Sequence, residues 1–389
     1  MTVHEISLDF FRNYVHGEAL FHPGVNVIVG ENAQGKTNLL EAIAYLSSAS
    51  SHRARYDREL IRHGVDHAFL KGRVDSRGRE LILEADLHRG AARQLRSNGV
   101  RLKTAGELSG LLGTVLFCPE DLYLIREGAE ARRRFLDSCI GQLRPRYAQA
   151  LAEYRRLYQH KTRILKDSEQ YPGLLDTLDD FSLRMAQCGA VLIHYRAHFV
   201  RRLNRTAPAI HADCSGGREK LELRYETVSS VTDPEASPKV IFPQLLAHQE
   251  SHREAEIAAR ACLSGPHKDE LAVEIDGSPA KAYASQGQTR TAALALKLAA
   301  RDIFRQETEE WPVLLLDDVL SELDARRQEF VLNRIADGQV FITCCEEGAL
   351  SRLKDGKVFH VKDGQLVTFS SEKTVLTGGT KKKQKEQTD

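Results

Sequence analysis

The alternation of Ile6, Leu8 and Phe10 predicts a strand near the start of the chain, and the compact apolar run Val25–Val29, closed by Gly30, predicts a second. A ladder from His67 to Val74, a turn at Ser76–Gly78 and a return from Leu81 to Leu87 predict a hairpin. Ser97-Asn98-Gly99 predicts another turn, because both central residues of a type I′ turn need positive φ, which Asn-Gly tolerates. Thr114–Cys118 is a further apolar run, stopped by Pro119. The period then changes. From Glu130 to Thr206 the pattern is helical, with breaks at Pro145 and Pro172, and Val228–Pro238 reads as a linker. A strand at Leu271–Ile275 turns at Asp276-Gly277. Helix 288–305, strand Val313–Asp317, helix 325–335 and strand Val340–Thr343 then give the rhythm of a parallel sheet. Residues 370–389, polar and Lys-rich, predict a disordered basic tail.

The first chemistry stands where strand Val25–Val29 meets the next helix, which the spacing of Leu39, Leu40, Ile43 and Leu46 predicts to be amphipathic. Gly30-Glu31-Asn32-Ala33-Gln34-Gly35-Lys36-Thr37 fits G-x-x-x-x-G-K-[ST] at every fixed position. Its glycines let the backbone curl so that N–H groups point inward at phosphate oxygens, and the helix N-terminus adds a positive dipole end. Lys36 would reach the β- and γ-phosphates of ATP, and the Thr37 hydroxyl would ligate Mg²⁺. The strand Val313–Asp317 ends in two carboxylates. In a parallel sheet that end faces the phosphate loop, so Asp317 is the candidate Mg²⁺ holder and Asp318 the candidate base for the attacking water.

Composition narrows the picture less. The 55 Lys+Arg against 54 Asp+Glu leave a formal charge of +1, which argues neither for nor against nucleic acid. Local clusters do stand out at Arg132–Arg134, at Arg155 and Arg156, and at Arg201, Arg202 and Arg205. The seven cysteines are scattered with no C-x-x-C pair, which excludes a zinc ribbon and suits a reducing cytosol. No run approaches the roughly 18 apolar residues of a spanning helix, and no signal peptide is visible, so a cytoplasmic protein is expected. His194/His198 and His248/His252 share helical i, i+4 spacing but lack a third ligand. Mg²⁺ with ATP is therefore the one metal expected.

Most of the chain lies between Lys36 and Asp317, so something is inserted between them. Ala284-Ser285-Gln286-Gly287-Gln288 precedes a helix upstream of the acidic strand, and Ser321-Glu322-Leu323-Asp324 follows it. In this order, phosphate loop, S-x-G-Q segment, acidic strand and D-loop resemble the layout of ABC-type ATPases. Phe10-Phe11-Arg12-Asn13-Tyr14, the block Phe117-Cys118-Pro119-Glu120-Asp121-Leu122 with Arg132-Arg133-Arg134-Phe135-Leu136-Asp137, and Leu263-Ser264-Gly265-Pro266-His267-Lys268-Asp269-Glu270 are similar, more narrowly, to the RecF family. That family is related to the heads of chromosome-maintenance proteins and Rad50.

The resemblance implies an α/β fold: an ABC-type P-loop ATPase head, a mixed sheet with flanking helices, carrying an inserted, mostly helical second lobe. Residues 1–121 and 263–369 would form the ATPase lobe, 122–262 the inserted lobe and 370–389 the tail. It implies nucleotide contacts at Arg12, Asn13, Gly30, Asn32, Gly35, Lys36, Thr37 and Asn38. Ser285, Gly287, Gln288 and Asp324 would act on the nucleotide of a second copy. Lys36 and Asp318 are then the catalytic pair, and Thr37 and Asp317 the Mg²⁺ ligands. The implied activity is a weak, DNA-dependent ATPase that dimerises with ATP and binds double-stranded DNA near single-strand gaps. With RecR and RecO it would help load RecA in repair, replication restart and the SOS response. A transporter motor or a nuclease-linked defence ATPase is the alternative. The first usually carries a His after the acidic strand, where this chain has Thr343, and the second would need a further catalytic domain.

Overall fold

A computed structural model of the chain describes residues 1–345 and 356–367. The expected tail at 370–389 lies outside the described residues.

Two six-stranded sheets organise the N-terminal part and the end of the chain. The first is antiparallel, in the order β2-β1-β4-β5-β6-β7, built from β1 (Thr2–Asp9), β2 (His16–Leu20), β4 (His67–Ser76), β5 (Arg79–His88), β6 (Gln94–Ser97) and β7 (Val100–Leu102). Asn98 and Gly99 join β6 to β7 with φ of 49° and 76°, as the turn signal requires. The second sheet runs β15-β14-β3-β13-β12-β8, from β3 (Val25–Val29), β8 (Thr114–Phe117), β12 (Val313–Asp317), β13 (Val340–Cys344), β14 (Gly356–Lys362) and β15 (Gln365–Val367). All its pairs are parallel except the β14–β15 edge hairpin. Both faces of this sheet are covered, which is why β12 reads as an apolar run up to Asp317 and β3 as one broken only by the buried Asn26. Ile28, Val313, Leu315, Phe341 and Phe359 face the first sheet and α1 (Lys36–Ser48). Val27, Phe117, Leu314, Leu316 and Ile342 face the opposite way, into helices.

Those helices are α3 (Ala129–Leu143), α4 (Pro145–Asp167), α5 (Leu178–Ser215) and α9 (Gln286–Thr308); a one-turn α2 (Ala105–Leu108) belongs to the other core, beside α1 and the β6–β7 edge. Pro145 opens α4 at the position where its missing N–H is harmless. Helix α5 continues past the predicted end at Thr206 and through Pro208, because Ala207, Ile210 and Cys214 are buried in the core and their packing outweighs the lost hydrogen bond. A small sheet, β9 (Leu221–Glu226), β10 (Glu270–Ile275) and β11 (Ser278–Pro279), packs against α5. Helix α6 (Pro238–Ser251) packs on α5 and α7 (Arg253–Ala259) on α6; the short α8 (Ala280–Tyr283) touches β10 and β11, and α10 (Ala325–Arg334) is tied to α9 by Arg327 and Arg334.

Helix α1 is not amphipathic as predicted. Every residue from Leu39 to Ser47 is buried, Glu41 among them, because the helix is wedged between the two sheets. No helix among the described residues is long and apolar enough to cross a membrane.

Candidate functional site

The loop between β3 and α1 is held open by two braces. On one side Asn13 Nδ2 donates to the Gln34 carbonyl at 2.7 Å, and the Tyr14 hydroxyl donates to the Gly35 carbonyl at 3.0 Å. On the other, the Gly364 N–H donates to that same Gln34 carbonyl at 2.9 Å, and the Asp363 N–H to Gln34 Oε1 at 2.5 Å. Gly35 takes φ 122°, and a Cβ there would fall 2.8 Å from Asn13 Nδ2, so only glycine fits. The loop leads straight into the α1 N-terminus, whose leading N–H groups and dipole suit an anion.

Lys36 is almost fully buried and its ammonium rests on the loop's own acceptors, the Gly30 carbonyl and the Glu31 carbonyl at 3.1 Å, with Cys345 Sγ at 3.4 Å. Among the described residues its partners are carbonyls and a thiol, so this charge has every electrostatic reason to turn to a phosphate. Asn32 Oδ1 accepts from that same thiol at 3.3 Å. Thr37 Oγ1 donates to Asp317 Oδ1 at 2.9 Å, leaving its lone pairs to a cation; this donor set of hydroxyl and carboxylate fits Mg²⁺.

The acidic strand end is fixed by one buried hydroxyl. Thr343 Oγ1 donates to Asp317 Oδ1 at 2.8 Å and accepts the Asp318 N–H at 2.8 Å. Asp318 sits in the left-handed region at φ 53°, a conformation that an L-residue keeps only under such restraint. The Ser321 hydroxyl closes the turn on the Asp318 carbonyl at 2.7 Å and on Oδ1 at 3.1 Å.

Ser285 caps α9. Its hydroxyl accepts the Gln288 N–H at 3.2 Å, while Gln288 Oε1 accepts the Ser285 N–H at 2.8 Å. Arg327 ties this helix start to the D-loop: it donates to the Gly287 carbonyl at 3.0 Å, to Thr291 and to Asp324, whose other oxygen caps α10. Asp324 and Gly287 thus share one guanidinium.

Of the remaining sequence candidates, Asn38 Nδ2 donates to Asn13 Oδ1 at 2.8 Å. Arg12 is turned onto Glu41 as a two-pronged fork at 2.8 and 2.7 Å. Burial by itself would raise the Glu41 carboxyl; the Arg12 fork and the Ser51 hydroxyl outweigh it and hold it below the usual carboxylate range. Sequence reasoning missed Glu41, Arg327 and the bridging role of Thr343. A carboxylate on an otherwise apolar helix was the signal for the first.

The family-specific blocks converge elsewhere. Asp137 of α3 and Asp269, just before β10, both close on Arg196 of α5, at 2.8 and 2.9 Å, with all three side chains buried. Tyr147 donates to Asp137, and Tyr225 and Thr227 donate to Asp269. His267 Nε2 faces the Cys262 carbonyl at 3.1 Å, so that nitrogen carries the hydrogen and Nδ1 accepts from Tyr154 at 2.7 Å. Burial pushes this imidazole down to about 4. The histidine pairs at i, i+4 contact each other's rings, and no group of three metal-binding side chains occurs among the described residues.

Residues 2–366 match the family model for the RecF/RecN/SMC N-terminal domain. The DNA replication and repair protein RecF of Agathobacter rectalis is 40% identical over 369 residues, covering 94% of this chain and 99% of that protein. The chain belongs to the RecF family. Its Bacillus subtilis relative is 38% identical over 377 residues, covering 94% of this chain and all of the other. Among solved structures, the recombination mediator protein RecF with ATP in the RecFOR pathway superposes with a TM-score of 0.86 at 33% identity, over 95% of this chain and 98% of that one. An SMC head from Pyrococcus furiosus superposes at 0.53 with 17% identity over 95% of this chain and 96% of its own, a likeness of fold alone. The fold is therefore the ABC-type ATPase head of RecF and SMC proteins.

Proposed function

We propose that the chain is an ATP-dependent DNA-binding recombination mediator, in which ATP closes two copies head to tail and hydrolysis resets them. The observation that carries the ATP part is the contact between Thr37, from the phosphate loop, and Asp317, from the end of β12, with Thr343 steadying both acids. Gly30, Asn32, Gly35 and Lys36 form the cradle for the phosphates, with Asn13 and Asn38 beside it and Arg12 behind it on Glu41. Thr37 and Asp317 would hold Mg²⁺, which would supply positive charge against the phosphates.

Asp318 accepts the proton of the attacking water as its oxygen bonds to the γ-phosphorus and the bond to the bridging oxygen breaks. Ser285, Gly287 and Gln288 present a helix N-terminus to the nucleotide of the partner copy, with Asp324 alongside. The inserted segment 122–262 acts as the second lobe, and the buried knot of Asp137, Arg196 and Asp269 fastens it to the strand that follows. The working place is the cytoplasm, on double-stranded DNA bordering single-strand gaps, where the dimer cooperates with RecR and RecO in loading RecA.

The reading is tested by retention of a labelled gapped duplex on the purified protein. Retention with ATP·Mg²⁺ that fades without nucleotide and with rising salt is expected. Retention indifferent to nucleotide would overturn the clamp and leave an ATPase with another task.

A further inference from the structure

Most arginines of the basic clusters that stand out in the sequence are paired with carboxylates in the fold, Arg133 and Arg205 being the exceptions among the described ion pairs. Arg132 is buried on Glu270, Arg134 pairs with Glu130, and Arg155 with Asp137. Arg156 pairs with Glu153, Arg201 with Glu235 and Arg202 with Glu307. Such residues give little net charge to a polyanion.

The segment after α1 differs. His52, Arg53, Arg55, Tyr56 and Arg58 are all exposed. The Arg55 and Arg58 guanidiniums lie over the Tyr56 ring, at 5.4 and 4.8 Å from its centroid, and neither has a carboxylate partner among the described residues. The acids nearby are already engaged: Asp57 is held by Arg93 at 3.1 Å and by the Tyr45 hydroxyl at 3.0 Å, and Glu59 Oε2 accepts the Arg55 N–H at 3.1 Å.

The segment is also a built platform. Ser51 Oγ accepts the N–H groups of Arg53 and Ala54 at 2.9 and 2.8 Å and donates to Glu41, while Arg53 donates to Asn38 at 3.1 Å, next to the phosphate-loop threonine. Stacking on an aromatic ring fixes two guanidiniums in place while leaving their N–H edges outward, the geometry that takes phosphate oxygens in pairs.

We propose that this platform, with Arg55 and Arg58 as its two phosphate-binding groups, is a contact for the phosphodiester backbone of duplex DNA, wired through Arg53 and Asn38 to the nucleotide loop. The inference rests on the DNA-binding reading above and names where that binding occurs. Backbone contacts carry no base information, so the platform favours no sequence.

The test is the affinity of the full chain for a fluorescent gapped duplex, measured by anisotropy at saturating ATP·Mg²⁺ over a series of salt concentrations. Replacing Arg55→Ala and Arg58→Ala together should flatten the slope of log K against log salt by about 1.8, since each lost phosphate contact removes about 0.9. The Arg55→Lys/Arg58→Lys protein should keep the slope, because the charges remain, and Arg156→Ala should leave it unchanged. ATP affinity of the double Ala variant, read with a fluorescent nucleotide, should match wild type. A slope unchanged in the double Ala variant overturns the inference alone. ATP affinity falling in step with DNA affinity also overturns it, assigning the platform to the nucleotide's phosphates. Wild-type protein that holds no DNA overturns the reading beneath it and the inference together.

Discussion

The phosphate-loop site and the Arg196 knot use the same polar chemistry to opposite ends. In the knot, Arg196 spends its donors on Asp137, Asp269, Tyr147 and the Pro266 carbonyl, every group buried and each partner saturated. In the site, Lys36 rests on loop carbonyls, Thr37 donates to Asp317, and Asp318 is kept in a left-handed turn by the hydroxyls of Thr343 and Ser321. A saturated network has nowhere to move, whereas a site with parked charge and restrained backbone gains partners when a phosphate arrives. The lesson is that the motifs most specific to the RecF family, around Asp137 and Asp269, build a joint, while the motifs common to all P-loop ATPases build the site.

Breaking the joint should have the largest effect. Arg196→Leu strands two buried carboxylates and should lower stability by about 3–5 kcal/mol, read as a shifted denaturant midpoint. Hydrolysis per folded molecule should change far less. The reverse holds in the site: Asp318→Asn should lower kcat by roughly 10²- to 10⁴-fold while leaving the midpoint in place. A knot variant that loses activity while remaining folded would erase the distinction.

Thr343 lies between these cases, since it is buried like the joint and holds the acids of the site. Thr343→Val leaves the buried Asp318 N–H unpaired and takes from Asp317 Oδ1 one of its two hydroxyl donors, at a cost of about 1–3 kcal/mol, and should depress kcat more than ATP affinity. Ser at this position, which keeps the hydroxyl, should restore kcat; failure to do so would assign the loss to packing. The last effect, small near neutral pH, lies beside the joint and comes from titration. Burial holds His267 at about 4 against an ordinary 6.5, so between these values the unfolded chain binds a proton that the folded chain rejects. Stability should therefore fall as pH drops from 6.5 toward 4, and His267→Gln should flatten that dependence.

The sequence exposed the site far better than the joint, for a physical reason. A phosphate cradle is local: Gly30 to Thr37 carry it within one turn, and Val313–Asp317 announces itself as an apolar run ending in acid. The knot is assembled by tertiary packing from α3, α5 and the stretch before β10, and nothing around Arg196 in the sequence marks it among the other arginines of α5. Strands β9 and β14 went unread because each buries few of its side chains, as with Val358 exposed and Phe359 buried. The arginine clusters were legible as charge, but their carboxylate partners come from other elements, so the pairing was not. In α1 the apolar face was visible, and burial of the opposite face, Glu41 included, depends on the first sheet lying over it.

The most direct test of the account is the mass of the purified chain by light scattering, with and without ATP·Mg²⁺, for wild type, Asp318→Asn and Ser285→Arg. Doubling with ATP is expected for wild type and for Asp318→Asn, which should also hold the dimer longer, and a monomer that still binds ATP is expected for Ser285→Arg. A Ser285→Arg protein that doubles in mass with ATP would contradict the claim that each copy's Ser285 closes on its partner's nucleotide.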